Sequence, residues 1–339
     1  MKKYILLFGA FILFATGCGK GDLNNVKEDF IKNIEKRNSY LIKGTMNIIS
    51  NEDNYSYNIT AAKDKDLYRV DLVNTISDHT QVILRSDDGV YVVTPSLNKS
   101  FKFQSEWPDN GSQAYLLTSL IDDIKTDSES IAEKSENGYV IKSKVNYPNN
   151  ANLVSQKIYV DEKSEIQKVE VLDSSDNAKI TVNFSSIDYK PSFKDDYFKL
   201  ESLIDEECCD NDNDEDDETT GNTIDEIIYP LYLPANTYLS SKNTVNTDDG
   251  NRVILTFTGE SPFTLIEEVS KPSNEFEIIP VYGEPLMLKD TLGALSANSL
   301  YWTSNNIDFH ISSNKLSGTE LLTIAESVSS GSLIVSGEK

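Results

Sequence analysis

From Leu67 to Asn110 the chain alternates apolar and polar residues in one short run after another, a period of two that fits strands and excludes a helix. Tyr68, Val70 and Leu72 alternate with Arg69 and Asp71, Val82 and Leu84 with Gln81, Ile83 and Arg85, and Phe101 and Phe103 with Ser100, Lys102 and Gln104. Between Ile83-Leu84-Arg85 and Val90-Tyr91-Val92-Val93 lies Asp87-Asp88-Gly89, where glycine supplies the positive φ of a tight hairpin. Thr94-Pro95-Ser96-Leu97-Asn98 makes a second turn. The segment therefore reads as a four-stranded meander, and each strand needs something to cover its apolar face.

The flanking residues supply that cover. Val26, Phe30, Ile31 and Ile34 share one side of a helix ending near Arg37, and Leu41–Ser50 and Tyr55–Thr60 lead into the meander as strands. Beyond Trp107-Pro108, Ser112 stands where it caps a helix carrying Leu116, Leu117, Leu120, Ile121 and Ile124. Strands resume at Tyr139–Val145, Gln156–Asp161, Ile166–Leu172 and Lys179–Phe184. Many antiparallel strands interrupted by two helices predict an α+β domain over 26–204, a curved antiparallel sheet with helical cover. Residues 223–339 predict a smaller α+β domain. It has an edge-like Ile227–Pro234 segment, strands at Val253–Phe257, Phe263–Val269, Glu277–Val281 and Ile307–Ile311, and a closing helix announced by the capping box Ser317-Gly318-Thr319-Glu320.

The first residues are a different kind of signal. Met1-Lys2-Lys3 precedes an apolar run, Tyr4–Phe14, shorter than the roughly 20 residues a spanning helix needs. Ala15-Thr16-Gly17-Cys18 then places small residues directly before a cysteine, so 1–17 read as a signal peptide. Cys18 reads as the lipid anchor, a thiol that takes diacylglycerol, with palmitate as the typical acyl chain, and 18–25 as its tether. This predicts a body held on the outer face of the cytoplasmic membrane.

Between the two domains, ten of the fourteen residues 205–218 are acidic, and 205–222 read as a solvated linker. Asp210, Asp212 and Asp214 have the spacing of a calcium loop, but Glu215 stands where glycine is needed and Gly221 where the bidentate glutamate is needed, so no metal is expected. Cys208 and Cys209 are adjacent, and free thiols, a labile vicinal disulfide and an intermolecular bond are all open to them. With 31 Lys plus Arg against 55 Asp plus Glu, the chain carries −24 and will not bind nucleic acid by general electrostatics.

Catalytic material is sparse. The two histidines, His79 and His310, fall in separate domains with no second ligand at metal spacing. No serine sits in a nucleophile elbow, and no phosphate-binding glycine motif or Cys-x-x-Cys occurs, so neither an enzyme nor a cofactor is expected. Aromatic surface is what remains. Tyr91, Phe101, Phe103 and Trp107 lie on or beside one curved sheet and form the candidate groove for an acyl chain or a partner's apolar segment.

Tyr68-Arg69-Val70, the strand Gln81–Arg85 followed by Asp-Gly, and above all Thr94–Pro108 (TPSLNKSFKFQSEWP) resemble the LolA-like lipoproteins of spore-forming Gram-positive bacteria: the YdcC-type sporulation lipoproteins and the clostridial germination lipoproteins. The resemblance covers about residues 40–200. It implies a LolA-like half-barrel with a hollow apolar side, followed by a small membrane-associated domain. It also implies a non-catalytic protein acting in sporulation or germination, with a cell-wall amidase or another envelope protein as partner. A carrier of lipid or lipoprotein acyl chains, and an envelope sensor similar to the regulators of anti-sigma factors, are the alternatives it leaves.

Overall fold

The computed structural model describes residues 23–50, 53–204, 224, 226–247, 250–272 and 276–328. The signal peptide, Cys18, the acidic segment 205–222 with Cys208 and Cys209, and the C-terminal residues from 329 onward lie outside the described residues.

Helix α1 (Leu23–Glu35) is followed by β1 (Ser39–Ser50), β2 (Asp53–Asp64), β3 (Leu67–Asn74), β4 (Thr80–Ser86), β5 (Gly89–Thr94) and β6 (Lys99–Phe103). Then come α2 (Leu117–Thr126), β7 (Ile131–Ser135), β8 (Gly138–Lys144), β9 (Leu153–Val160), β10 (Ile166–Asp173) and β11 (Ala178–Asp188). The C-terminal half contributes β12 (Thr237–Thr247), β13 (Gly250–Gly259), β14 (Phe263–Val269), β15 (Glu277–Val281), β16 (Gly283–Met287), β17 (Leu292–Ser296), β18 (Ser299–Ser304), β19 (Ile307–Ser312) and α3 (Gly318–Ser327). Among the described residues the result is mostly β-sheet with three α-helices, an α+β arrangement.

Two sheets carry these strands. The first has twelve, in the order β15-β6-β5-β4-β3-β2-β1-β11-β10-β9-β8-β7, and the second seven, in the order β12-β13-β14-β19-β18-β17-β16. The expected meander is β3 to β6, and Gly89 closes its β4–β5 hairpin at φ +152°. β1 and β11 join the two arms of the first sheet, and their register slips between Lys43 and Gly44. Gly44 is required at that slip, because a Cβ there would stand 2.2 Å from the Asn183 carbonyl oxygen.

One face of the first sheet and both N-terminal helices bury a common core. Val26, Phe30 and Ile34 of α1 and Leu117, Leu120, Ile121 and Ile124 of α2 meet Tyr40, Ile42 and Met46 of β1, Val70 and Leu72 of β3, and Val169 and Val171 of β10. Burying each side chain of this size contributes about 1.5–3 kcal/mol, which is why the 3.6-residue stripe of α1 must face the sheet. The opposite face is covered locally, where Phe198 and Leu203 pack on Val82, Leu84, Tyr91 and Val93.

Three details depart from the sequence reading. Ser112 does not cap α2, whose first turn has no side-chain cap; its hydroxyl instead donates to Asp123 Oδ1 at 2.7 Å and accepts from the Asn146 amide at 2.7 Å. Ile227–Pro234 forms no strand and only an isolated bridge, between Pro230 and Val328, since its two prolines remove ladder donors. Strand β15 comes from the C-terminal half yet pairs parallel with β6, so it completes the first sheet rather than the second. The capping box at Ser317 forms as expected, with Glu320 and Ser317 each accepting from the other's backbone amide.

The halves are clasped by polar contacts around this crossover. Gln81, buried on β4, accepts from the Leu292 amide at 2.6 Å and the Thr291 hydroxyl at 3.1 Å. Tyr57 donates to the Lys289 carbonyl at 3.0 Å, and Lys99 pairs with Asp308 at 2.7 Å. Replacing Gln81 by leucine leaves the Leu292 amide buried without an acceptor, a cost of about 1–3 kcal/mol. Gln81→Leu is therefore expected to lower the urea midpoint of unfolding, and an unchanged midpoint would show that the clasp does not hold the halves together.

In the second core, Glu267 on β14 is fully buried, takes one hydrogen bond from the Ile228 amide at 3.1 Å, and its Oε1 has no partner among the described residues. Burial pushes its carboxyl up to about 7 from an ordinary 4.5, with the Ile228 amide pulling the other way. The folded state thus holds a proton that the unfolded chain releases. The stability from this group is complete below about 4.5 and is lost as pH rises through about 7. Glu267→Gln keeps the acceptor for Ile228 and should raise the melting temperature above pH 7 while changing it little at pH 4.5.

Candidate functional site

Where the two halves meet they leave a cavity of about 550 Å³. The inner face of the first sheet supplies one wall, with Met46 and Ile48 of β1, Ile83 of β4, Leu153 of β9 and Ile180 of β11. The C-terminal half supplies the facing wall, with Leu286 and Met287 of β16, Leu288, Leu292 of β17 and Leu322 of α3. Strand parity explains the first wall: on β1 the even-numbered residues from Tyr40 to Ile48 face the core. The second wall follows from β15, because the ladder with β6 and the turn at Tyr282 carry Gly283–Met287 directly over the sheet.

The polar lining is grouped in the segments 110–113 and 149–152. Asn110, Gln113, Asn149, Asn150 and Asn152 line the cavity and are partly or fully exposed, whereas Met46, Ile83, Trp107 and Leu292 are buried. Lys179, Lys289, Glu284 and Glu326 add two charges of each sign. Glu284 accepts hydrogen bonds from Ser105 and Asn110, which ties β16 to the 105–110 loop. Burial raises the Glu326 carboxyl above its ordinary range, and the ammonium of Lys289 opposes that rise.

Behind this wall the Asp123 carboxyl accepts from Ser112 Oγ at 2.7 Å and Gln156 Nε2 at 2.9 Å, and the same amide donates to Ser143 Oγ at 3.1 Å. Burial pushes Asp123 up to about 6 despite those two donors. The network is internal and fixes the 110–116 segment against β8 and β9, so Trp107 and Tyr115 hold their places on the wall. Tyr115 donates to Gln113 at 2.7 Å, and burial raises its phenol and that of Tyr147.

The four aromatic residues proposed for a groove do not form one. Trp107 lines the cavity. Phe101 and Phe103 face the same side of the sheet but are spent in packing, Phe101 with Tyr301 at 6.3 Å between ring centroids. Tyr91 points to the other face. It sits opposite Lys102 in the ladder, whose ammonium lies 5.1 Å from its ring, and it donates to Asp88 at 2.6 Å. Two-residue alternation forces this outcome, because Val90 and Val92 pair with Phe103 and Phe101 and take the inward positions. Met46, Ile180, Tyr115, Tyr147 and the whole facing wall were not singled out from sequence. The inward parity of β1 and β11 was readable there, but the wall from 284–292 and Leu322 is brought in by a fold contact more than a hundred residues away.

The histidines lie elsewhere. His79 is partly buried, which lowers its ring below the ordinary range, with Asp290 opposing. His310 stacks on Tyr301 at 3.8 Å and 6°, and its Nε2 has no hydrogen-bond partner among the described residues. Among the described residues there is no group of three or more His, Cys, Asp or Glu arranged to hold a metal ion, and no helix long and apolar enough to cross a membrane.

The family model for YdcC-like sporulation proteins matches residues 1–198. Sporulation protein YdcC of Bacillus subtilis (strain 168) is 35% identical over 334 residues, covering 96% of this chain and 97% of that protein. Among solved structures, a chain of the Pseudomonas aeruginosa MucA/MucB complex is 11% identical with a TM-score of 0.30, covering 90% of this chain and 96% of its own. A chain of the Clostridioides difficile CwlD amidase complex with the GerS lipoprotein is 21% identical with a TM-score of 0.30, covering 49% of this chain and 95% of its own. On the family match and the identity sustained along nearly the whole length, this chain belongs to the YdcC-like sporulation protein family.

Proposed function

We propose that this protein is a non-enzymatic binding protein, held by acyl chains on Cys18 to the outer face of the cytoplasmic membrane, that engages an envelope protein during sporulation. The observation that carries the reading is the cavity between the two halves, about 550 Å³ with an apolar interior and an amide-rich polar lining. A pocket of that size and character accepts one or two apolar side chains of a partner while its Asn and Gln groups hydrogen-bond the partner's backbone. We read the twelve-stranded sheet as the LolA-like half-barrel, its hollow partly filled by α1, α2 and residues 283–292, with the cavity as what remains of the hollow. The sporulation context comes from the relationship to the YdcC family, and the amidase or another envelope protein is the partner class that the family resemblance implies.

A second reading has its own support. The apolar wall formed by Met46, Ile48, Ile180, Met287, Leu292 and Leu322 also suits a single acyl chain, which would make the protein a carrier of lipid or lipoprotein chains. The two separate in one experiment. The tagged protein is recovered from membranes of sporulating cells, and its companions are weighed as proteins and as lipids. A stoichiometric protein that is lost in Met287→Trp, where the indole fills the cavity, supports the partner reading. Co-purified acyl chains lost in the same variant support the carrier. A hydrolytic activity abolished by one point substitution would overturn both.

The anchor has a separate test. Cys18→Ala should leave the body folded, with an unchanged circular dichroism spectrum, and move the protein from the membrane pellet to the supernatant. Retention of that variant in membranes would remove the anchor from the proposal.

A further inference from the structure

Among the described residues the two sheets have four edges, and three of them are blunted. β7, β15 and β16 are five residues each, and β15 and β16 contain Pro280 and Pro285, which have no amide hydrogen to offer a neighbouring strand. The fourth, β12, is eleven residues long and free of proline. At 3.4 Å per residue it is an edge of about 37 Å.

β12 also overhangs its own core. Lys242 and Thr244 pair with Leu255 and Val253, which are buried, yet the nine residues from Tyr238 to Asn246 are all exposed. Tyr238, Leu239 and Val245 are 62%, 39% and 47% exposed, so the strand presents apolar surface on an edge with nothing beside it among the described residues. Charge distinguishes it further. In a chain of −24, residues 227–247 contain no Asp or Glu and a single lysine, Lys242. Two copies approaching by most of their surface repel one another, and along this strand they do not.

We propose that β12 is a self-association edge on which a second copy of this chain adds its own β12 antiparallel, making one continuous sheet across a two-fold axis. Centring the axis on Asn243 sets each Lys242 opposite the partner's Thr244 rather than opposite the other lysine, and each Ser241 opposite the partner's Val245. The adjacent register, with the axis on Lys242, is disfavoured because it sets lysine directly opposite lysine. The arrangement closes on itself: a two-fold pairing uses the one long edge of each copy, and the remaining short or proline-bearing edges stop further growth.

The test uses the full chain in detergent micelles, followed by sedimentation velocity. The wild-type protein is expected to sediment as a dimer, and Ser241→Glu/Val245→Glu, which adds charge to two exposed positions, to weaken association about tenfold or more. Tyr282→Glu, at a residue 75% exposed away from the strand, should leave the dimer intact. In membranes, Asn243→Cys in a background with Cys208 and Cys209 changed to serine should form an oxidised cross-linked dimer, and Lys242→Cys in the same background should not. A wild-type monomer across the accessible concentration range overturns the proposal, as does a dimer that survives the double glutamate variant.

Discussion

The parallel ladder between β15 and β6 is the contact on which the remaining architecture depends. It brings residue 277 beside residue 99 and residue 281 beside residue 103, so the C-terminal half is stitched into the first sheet rather than hung from it. Val281 enters the first core, the Glu277 amide donates to the Asn98 carbonyl at 2.7 Å, and Ser100 donates to the Glu277 carbonyl at 3.3 Å. Five residues of parallel pairing are weak by themselves. The Gln81 clasp, the Lys99–Asp308 pair and the Tyr57 bond add side-chain anchors on the same docking face, and each is at least partly sheltered from water.

A consequence is that the cavity is not a property of either half. The sheet alone would offer an open apolar face, a surface far larger than a soluble protein tolerates. Helices α1 and α2 cover part of that face, and residues 284–292 form the wall across from it, leaving a bounded space with polar groups along part of its lining. The cavity wall and the clasp therefore share residues. Leu292 is held by Gln81 through its amide while its side chain lines the cavity.

Much of the framework was legible in order along the chain. The meander, both N-terminal helices, the later strands of the first sheet and the capped closing helix were readable because each depends on local spacing: a period of two, a period near 3.6, or a serine three residues before a glutamate. The Ser112 hydroxyl suits an N-cap by sequence, yet the half-buried Asp123 carboxylate eleven residues on offers a stronger, charge-assisted partner. The Tyr91 assignment failed on parity, since proximity to Phe101 and Phe103 in sequence says nothing about which face of the pleat a side chain takes. β12 escaped notice for a related reason: Ser, Thr and Asn on both faces of an overhanging strand leave no apolar alternation to detect.

What the sequence alone determined is everything that arises from neighbours within a few residues, along with the anionic balance and the poverty of catalytic motifs. It also carried the family resemblance, through segments spread over about residues 40–200, the run from Thr94 to Pro108 above all. Tertiary structure decided which half covers which, that β15 crosses to the first sheet, and that the wall opposite Met46 and Ile180 is built from residues beyond 283. Contacts of that range carry no periodic trace in the chain. They are chosen by the burial of whole faces and by the pairing of single buried amides, and neither quantity exists until the sheet has formed.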